Sequence, residues 1–202
     1  VGTGSSGTGK SFLACRYAAS ELLAGNIDKI VITRPYVAVS GRTTGFKPNT
    51  DIEKLRAFVL PLLGYLSEVL GSAYVEQQLQ LGDKIELAPL ESIRGRNFDK
   101  TFLISDESSN MTVGEFQALS TRLGKDTRWA AIGDNAQSDT RENGLKWFEN
   151  LVEKYNISNV YDVSKAEETT KGINQAIEDA YQAGYRRIII NICFYNGTHR
   201  NE

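Results

Sequence analysis

Short apolar runs of strand character punctuate the chain: KIVIT (29–33), KIELA (84–88), TFLIS (101–105), RWAAIG (128–133), NVYDV (159–163) and RRIIINICF (186–194). Between them the apolar residues recur roughly every three to four positions, the spacing of an amphipathic helix. These helical stretches cover 11–25, 51–71, 112–123, 145–155 and 165–184. Pro61 lies inside the second and predicts a kink or a break there, because proline lacks the backbone N–H and collides with the preceding turn. Strands alternating with helices predict an α/β fold, a mostly parallel sheet flanked by helices. No internal repeat and no low-complexity linker interrupts the pattern. GRTTGFKPNT (41–50) is the longest turn-rich segment, and loops of that kind carry function.

Composition narrows the class. The 202 residues, 41% of them hydrophobic, suffice for one domain with a sizeable core. No apolar run approaches the roughly 18 residues of a membrane span, and the N-terminus lacks the charge-then-apolar pattern of a signal peptide. Cys15, Cys193 and the single histidine, His199, share no metal-ligand spacing, so a zinc site is not expected. Two distant cysteines fit a reduced, cytoplasmic setting. With a net charge of −2, nothing global advertises nucleic acid, and any such contact must come from local basic clusters.

The sharpest local signal is GTGSSGTGKS (2–11), where Gly4, Gly9, Lys10 and Ser11 fit G-x-x-x-x-G-K-[ST]. A glycine-rich backbone can turn its N–H groups around phosphate oxygens, and the helix that follows adds the positive end of its dipole. Lys10 would reach the β- and γ-phosphates, and the Ser11 hydroxyl would hold Mg²⁺. The competing reading is a flexible Gly/Ser tail, but Ser11 opens a good amphipathic helix.

TFLIS runs directly into Asp106 and Glu107. Asp106 can hold the metal, and Glu107 can orient and deprotonate an attacking water. Helix capping is the alternative use of such a pair, yet Thr112 is the better cap for the next helix. RWAAIG ends in Gly133 and Asp134, followed by Gln137. In a parallel sheet this end lies beside the acidic pair, so Gln137 could bond the γ-phosphate or the lytic water; a simple turn would leave the same sequence.

Taken together, GSSGTGKS (4–11), ITRPYVAVSGRTTGF with Pro48, IELAPLESIRGRNF (85–98), ISDESSN (104–110), STRLG (120–124), IGDNAQSD (132–139) and NGL (143–145) resemble the PhoH-like ATPases. These are relatives of the N-terminal motor domain of superfamily-one helicases. The resemblance implies a RecA-like core that binds and hydrolyses ATP with Mg²⁺, acts on RNA or single-stranded nucleic acid, and forms homo-oligomers. On this chain it gives Gly4, Ser5, Ser6, Gly7, Thr8, Gly9, Lys10 and Ser11 to the phosphate loop. Ser11 and Asp106 go to the metal, Glu107 to the water and Gln137 to the sensor. Three departures stand out. The strand before the loop is represented only by Val1 and Gly2. The family's Asp-Glu-Ala-Gln-Asn reads Asp106-Glu107-Ser108-Ser109-Asn110, with a shorter Ser109 in place of glutamine. Beyond Asp162-Val163 the match fades, which divides the chain into a core, 1–163, and a divergent helix and strand, 164–202.

Arg34, Arg42 and Lys47 are the cations expected to meet nucleic-acid phosphates, with Tyr36 or Phe46 as stacking partners for bases; the plainer reading is solvated surface charge. Arg96, in Arg94-Gly95-Arg96, is expected to complete the active site of a neighbouring subunit, unless the pair only braces its loop through Asp99 or Glu91. The expected function is Mg²⁺-dependent ATP hydrolysis coupled to single-stranded nucleic acid or to oligomer contacts. The alternative is an ATP-binding regulatory or assembly module with little turnover. A small-molecule kinase suits Glu107 and Gln137 less well than a water nucleophile does.

Overall fold

The computed structural model describes residues 2–4, 7–35, 48–140, 142–154, 160–162 and 189–191. Ser5, Ser6, Arg42, Lys47, Tyr36, Phe46 and the helix expected at 165–184 lie outside the described residues.

The elements in chain order are β1 (Gly2–Thr3), α1 (Lys10–Leu23), β2 (Lys29–Thr33), α2 (Pro48–Phe58), α3 (Leu60–Leu70), α4 (Ser72–Leu81) and β3 (Ile85–Leu87). They continue as β4 (Thr101–Ser105), α5 (Val113–Ser120), β5 (Arg128–Gly133), α6 (Gly144–Lys154), β6 (Val160–Asp162) and β7 (Ile189–Asn191). The first five strands form one sheet in the order β1-β5-β4-β2-β3, and every pairing in it is parallel. β6 and β7 pair in parallel as a separate ribbon, with β7 beside β1.

β2 and β4 are apolar on both faces because both faces are covered. Ile30, Ile32, Phe102 and Ile104 pack with Cys15, Ala18 and Ala19 of α1 and Leu62, Leu63 and Leu66 of α3. Val31 and Leu103, one residue out of phase, pack with Phe116 and Leu119 of α5 and Leu145 of α6. The result is three layers, helix on sheet on helix. Cys15 is wholly buried; burial, with the nearby Asp106 charge, pushes its thiol far above the usual range, so it packs as a small apolar group.

The proline acts as its chemistry requires. The long helical stretch breaks at Val59, and Pro61 stands in the first turn of α3, where its missing N–H is no loss. Thr112 caps α5: its hydroxyl accepts the Glu115 N–H while the Glu115 carboxylate accepts the Thr112 N–H at 2.8 Å. That leaves Asp106 and Glu107 free of capping duty. α4 is an element the sequence pattern did not announce. Among the described residues no helix is long and apolar enough to cross a membrane.

Candidate nucleotide site

Four strands deliver the site at their carboxyl ends. β1 runs into the glycine-rich loop, β2 into Arg34, β4 into Asp106 and Glu107, and β5 into Asp134. This edge is where open parallel sheets bind ligands. A cleft along it is lined by Gly7, Thr8, Gly9, Lys10 and Ser11 on one side and by Asp106, Glu107, Asp134 and Gln137 on the other.

The loop has the backbone that phosphate binding needs. Gly7 and Gly9 hold φ of 79° and 83°, left-handed values that a residue with a Cβ reaches only at a cost. Gly9 is the N-cap of α1, and no acidic residue occupies the first turn, so the helix N-terminus is electrostatically open to an anion. Lys10 curls back into the loop, donating to the Gly4 carbonyl at 2.7 Å and to Thr8 Oγ1 at 3.3 Å. Burial lowers the Lys10 pKa, while Asp134, Glu107 and Asp106 pull the other way.

Ser11 Oγ donates to Asp106 Oδ1 at 3.2 Å, across 95 residues of sequence. A hydroxyl and a carboxylate oxygen at that separation form a hard donor set that suits Mg²⁺, which takes oxygen ligands and keeps several of its waters. Burial raises the Asp106 pKa, against the opposing pull of Arg34, Ser11 and Lys10. Burial and the Asp106 charge raise that of Glu107, which Arg34 and Lys10 partly offset. Glu107 also sits in the left-handed region, with φ 51° and ψ 37°, a strained setting for a non-glycine residue.

The turn that carries this strain is anchored from below by Trp129, Ser105 and Ser108, to which the sequence assigns no role. Trp129 Nε1 donates to Ser105 Oγ at 2.7 Å. Ser105 Oγ is 2.7 Å from Ser108 Oγ, and Ser108 Oγ donates to the Ser105 carbonyl at 2.8 Å. If Ser105 donates to Ser108, the hydroxyls of both serines are satisfied. The signal in the sequence was serine on both sides of the acidic pair. Ser109 is fully buried, and its hydroxyl has no partner among the described residues. A Cβ on Gly133 would lie 2.7 Å from the Ser109 nitrogen, so this close approach requires glycine. The Ser109 carbonyl accepts from Ser138 Oγ at 2.7 Å, which ties the acidic turn to the segment after Gln137.

Two arginines pair with acidic side chains of the same chain. The guanidinium of Arg34, a candidate nucleic-acid contact, faces the acidic pair, 3.3 Å from Asp106 Oδ2 and 3.7 Å from Glu107 Oε1. Arg96, expected to complete a neighbour's site, forks within this chain onto Glu86 of β3 at 2.6 and 3.0 Å and lies over the Phe98 ring. Opposite charge holds both arginines, buried at Asp106 and half-buried at Glu86. The carboxylate that Arg96 meets is Glu86, rather than Asp99 or Glu91. Arg94 is the exposed member of that pair. Gln137, in the short 3₁₀ turn Asn135–Gln137, is exposed at the mouth of the cleft.

A phosphate loop, an acidic pair two strands away and a polar turn on the strand between define a RecA-like P-loop domain of the NTPase kind. The sequence profile described as "PhoH: PhoH-like protein" matches residues 1–182. The chain belongs to the PhoH-like protein family. It is 39% identical to a PhoH-like protein of Bacillus subtilis over 138 residues, 68% of this chain and 43% of that one. It is 31% identical to a PhoH-like protein of Synechocystis over 182 residues, 89% of this chain and 55% of that one. With the Protein PhoH of Escherichia coli the identity is 30% over 155 residues, 76% of this chain and 43% of that one. The chain thus spans about half the length of the curated relatives it matches.

Proposed function

We propose that this domain binds ATP together with Mg²⁺ and hydrolyses it, in a cytoplasmic setting. The observation that carries the reading is the approach of Ser11 to Asp106 at 3.2 Å, with Lys10 and Glu107 lining the same cleft. The loop N–H groups and Lys10 bind the phosphates. Ser11 and Asp106 would hold the metal, which when bound neutralises charge on the phosphate oxygens. Glu107 orients the attacking water and takes its proton, and Gln137 bonds the water or the γ-phosphate. No covalent intermediate is needed, since phosphoryl transfer is served by positioning and charge.

Coupling of turnover to single-stranded nucleic acid or to contacts in a homo-oligomer is the finer part of the proposal. Arg42 and Lys47 remain its candidate phosphate contacts. Ser109 favours the second reading, an ATP-binding assembly module with little turnover. It is buried under Gly133 at the position where the family pattern has a longer, polar glutamine.

Nucleotide titrations and steady-state turnover, with and without single-stranded RNA, test both. Lys10→Ala is expected to weaken ATP binding by about a hundredfold or more. Glu107→Gln should keep binding and slow turnover by about a hundredfold. Unchanged binding in Lys10→Ala would sink the site assignment. Binding with negligible wild-type turnover under every condition would leave the assembly module.

A further inference from the structure

Arg34 is the first residue past β2, and its pairings are more specific than those of a surface cation. One guanidinium nitrogen stands 3.3 Å from Asp106 Oδ2 and 3.3 Å from the Phe58 carbonyl oxygen. The other reaches Glu107 Oε1 at 3.7 Å. The group also lies over the Phe58 ring, 5.4 Å from its centroid, so α2 holds it from behind. Asp106 is thereby divided: Oδ1 turns to Ser11 and Oδ2 to Arg34. Only 27% of the Arg34 side chain is exposed, which leaves little of it for a phosphate arriving from solvent.

We propose that Arg34 is a positioning residue of the hydrolytic site: it fixes the Asp106 and Glu107 carboxylates and supplies their standing positive charge, so that a divalent cation binds well only when it arrives with a triphosphate. This rests on the ATP-hydrolysing reading above. Two physical arguments support it. A buried and a half-buried carboxylate on adjacent residues attract a cation strongly unless a fixed charge already answers them, and a guanidinium within 4 Å does so. A strained, left-handed Glu107 needs outside contacts to hold its carboxylate in one place, and a planar fork that meets both acids at once supplies them. Lysine would keep the charge and lose the fork, which lets the two roles be separated.

The test uses Mn²⁺ as probe, titrated by electron paramagnetic resonance into nucleotide-free protein. Arg34→Gln should tighten Mn²⁺ binding about tenfold or more, while Arg34→Lys stays near wild type because the charge remains. Adding Asp106→Asn to Arg34→Gln should abolish the gain. Both single variants should lower kcat for ATP about tenfold, with KM changed less than about threefold, because positioning acts on the reacting geometry and not on ground-state binding. A purely structural arginine would not tighten a metal site when removed. Equal Mn²⁺ affinity in wild type and Arg34→Gln, or a gain that survives Asp106→Asn, overturns the proposal. An ADP titration of the same variants separates this from failure of the underlying reading. Nucleotide binding that is insensitive to Lys10→Ala would sink that reading, whatever Arg34 does.

Discussion

Glu86 lies between two cations, Arg96 forked onto it at 2.6 Å and Lys29 at 3.2 Å. Burial pushes its carboxyl up, but the hydrogen bonds and charges of Arg96 and Lys29 outweigh burial and hold it below the usual glutamate range. The sign of the pH effect follows. A carboxylate that is more acidic in the folded protein stabilises it above the ordinary glutamate pKa, and the benefit fades as pH falls through the folded value. Arg96→Ala should therefore cost about 1 kcal/mol at pH 7, given a partly exposed bidentate pair. The gap to wild type should shrink steadily as the buffer is taken below about pH 4.3. Urea unfolding across that range checks it, and a gap independent of pH would contradict the pairing. At this scale the sequence was informative about residue types and silent about partners. Phosphate-loop and acidic residues announce themselves through spacing. Whether Arg96 turns outward or back to Glu86 depends on a strand ten residues earlier.

Among elements, the turn after β4 does the most with the fewest residues. Its strained Glu107 is held over the Trp129–Ser105–Ser108 chain of hydrogen bonds. Trp129→Phe keeps the ring near Phe116, whose centroid is 4.6 Å away, but removes the donor. The expected cost is about 1–2 kcal/mol, because Ser105 is fully buried. Turnover should fall more than nucleotide affinity, since Glu107 moves and the phosphate loop does not. Thermal melts beside kinetics distinguish this from a general loss of fold. The strands were legible because β2 and β4, covered on both faces, read as unbroken apolar runs. The break at Pro61 was legible from proline chemistry. α4 was not: it buries only Val75 and Gln78, so no apolar stripe marked it. Gln78 is spent on the turn that follows, accepting from the Lys84 N–H at 3.1 Å.

The whole molecule brings four strand ends to one edge of the sheet, with β1 and β5 reaching two residues beyond β2 and β4. Thr33 pairs with Ser105 and Ser105 with Ala131, while Thr3 pairs with Gly133. Any ligand held across that edge bridges β1, β2, β4 and β5 and should stabilise the fold as a unit. At a hundredfold excess over its Kd, Mg²⁺–ATP should add about 2.7 kcal/mol. For a domain of this size that raises Tm by about 5–10 °C. Glu107→Gln, which should consume the ligand about a hundredfold more slowly, is the clearest protein in which to see the shift by calorimetry. Lys10→Ala should show almost none. The alternation of strands and helices made the parallel sheet legible, but not its strand order. That order depends on which apolar faces meet, and short strands of similar composition do not encode it locally.

The fixed register of those strand ends also sorts the length changes such a chain can survive. One codon inserted within β2 or β4 would advance Arg34 or Asp106 by about 3.3 Å and turn the following side chains to the opposite face of the sheet. The same codon inserted at exposed Gly71, where α3 gives way to α4, leaves every strand pairing as it was. Lineages of this domain can therefore lengthen and shorten through the helical layer between β2 and β3, while the strands that end at the cleft keep their count.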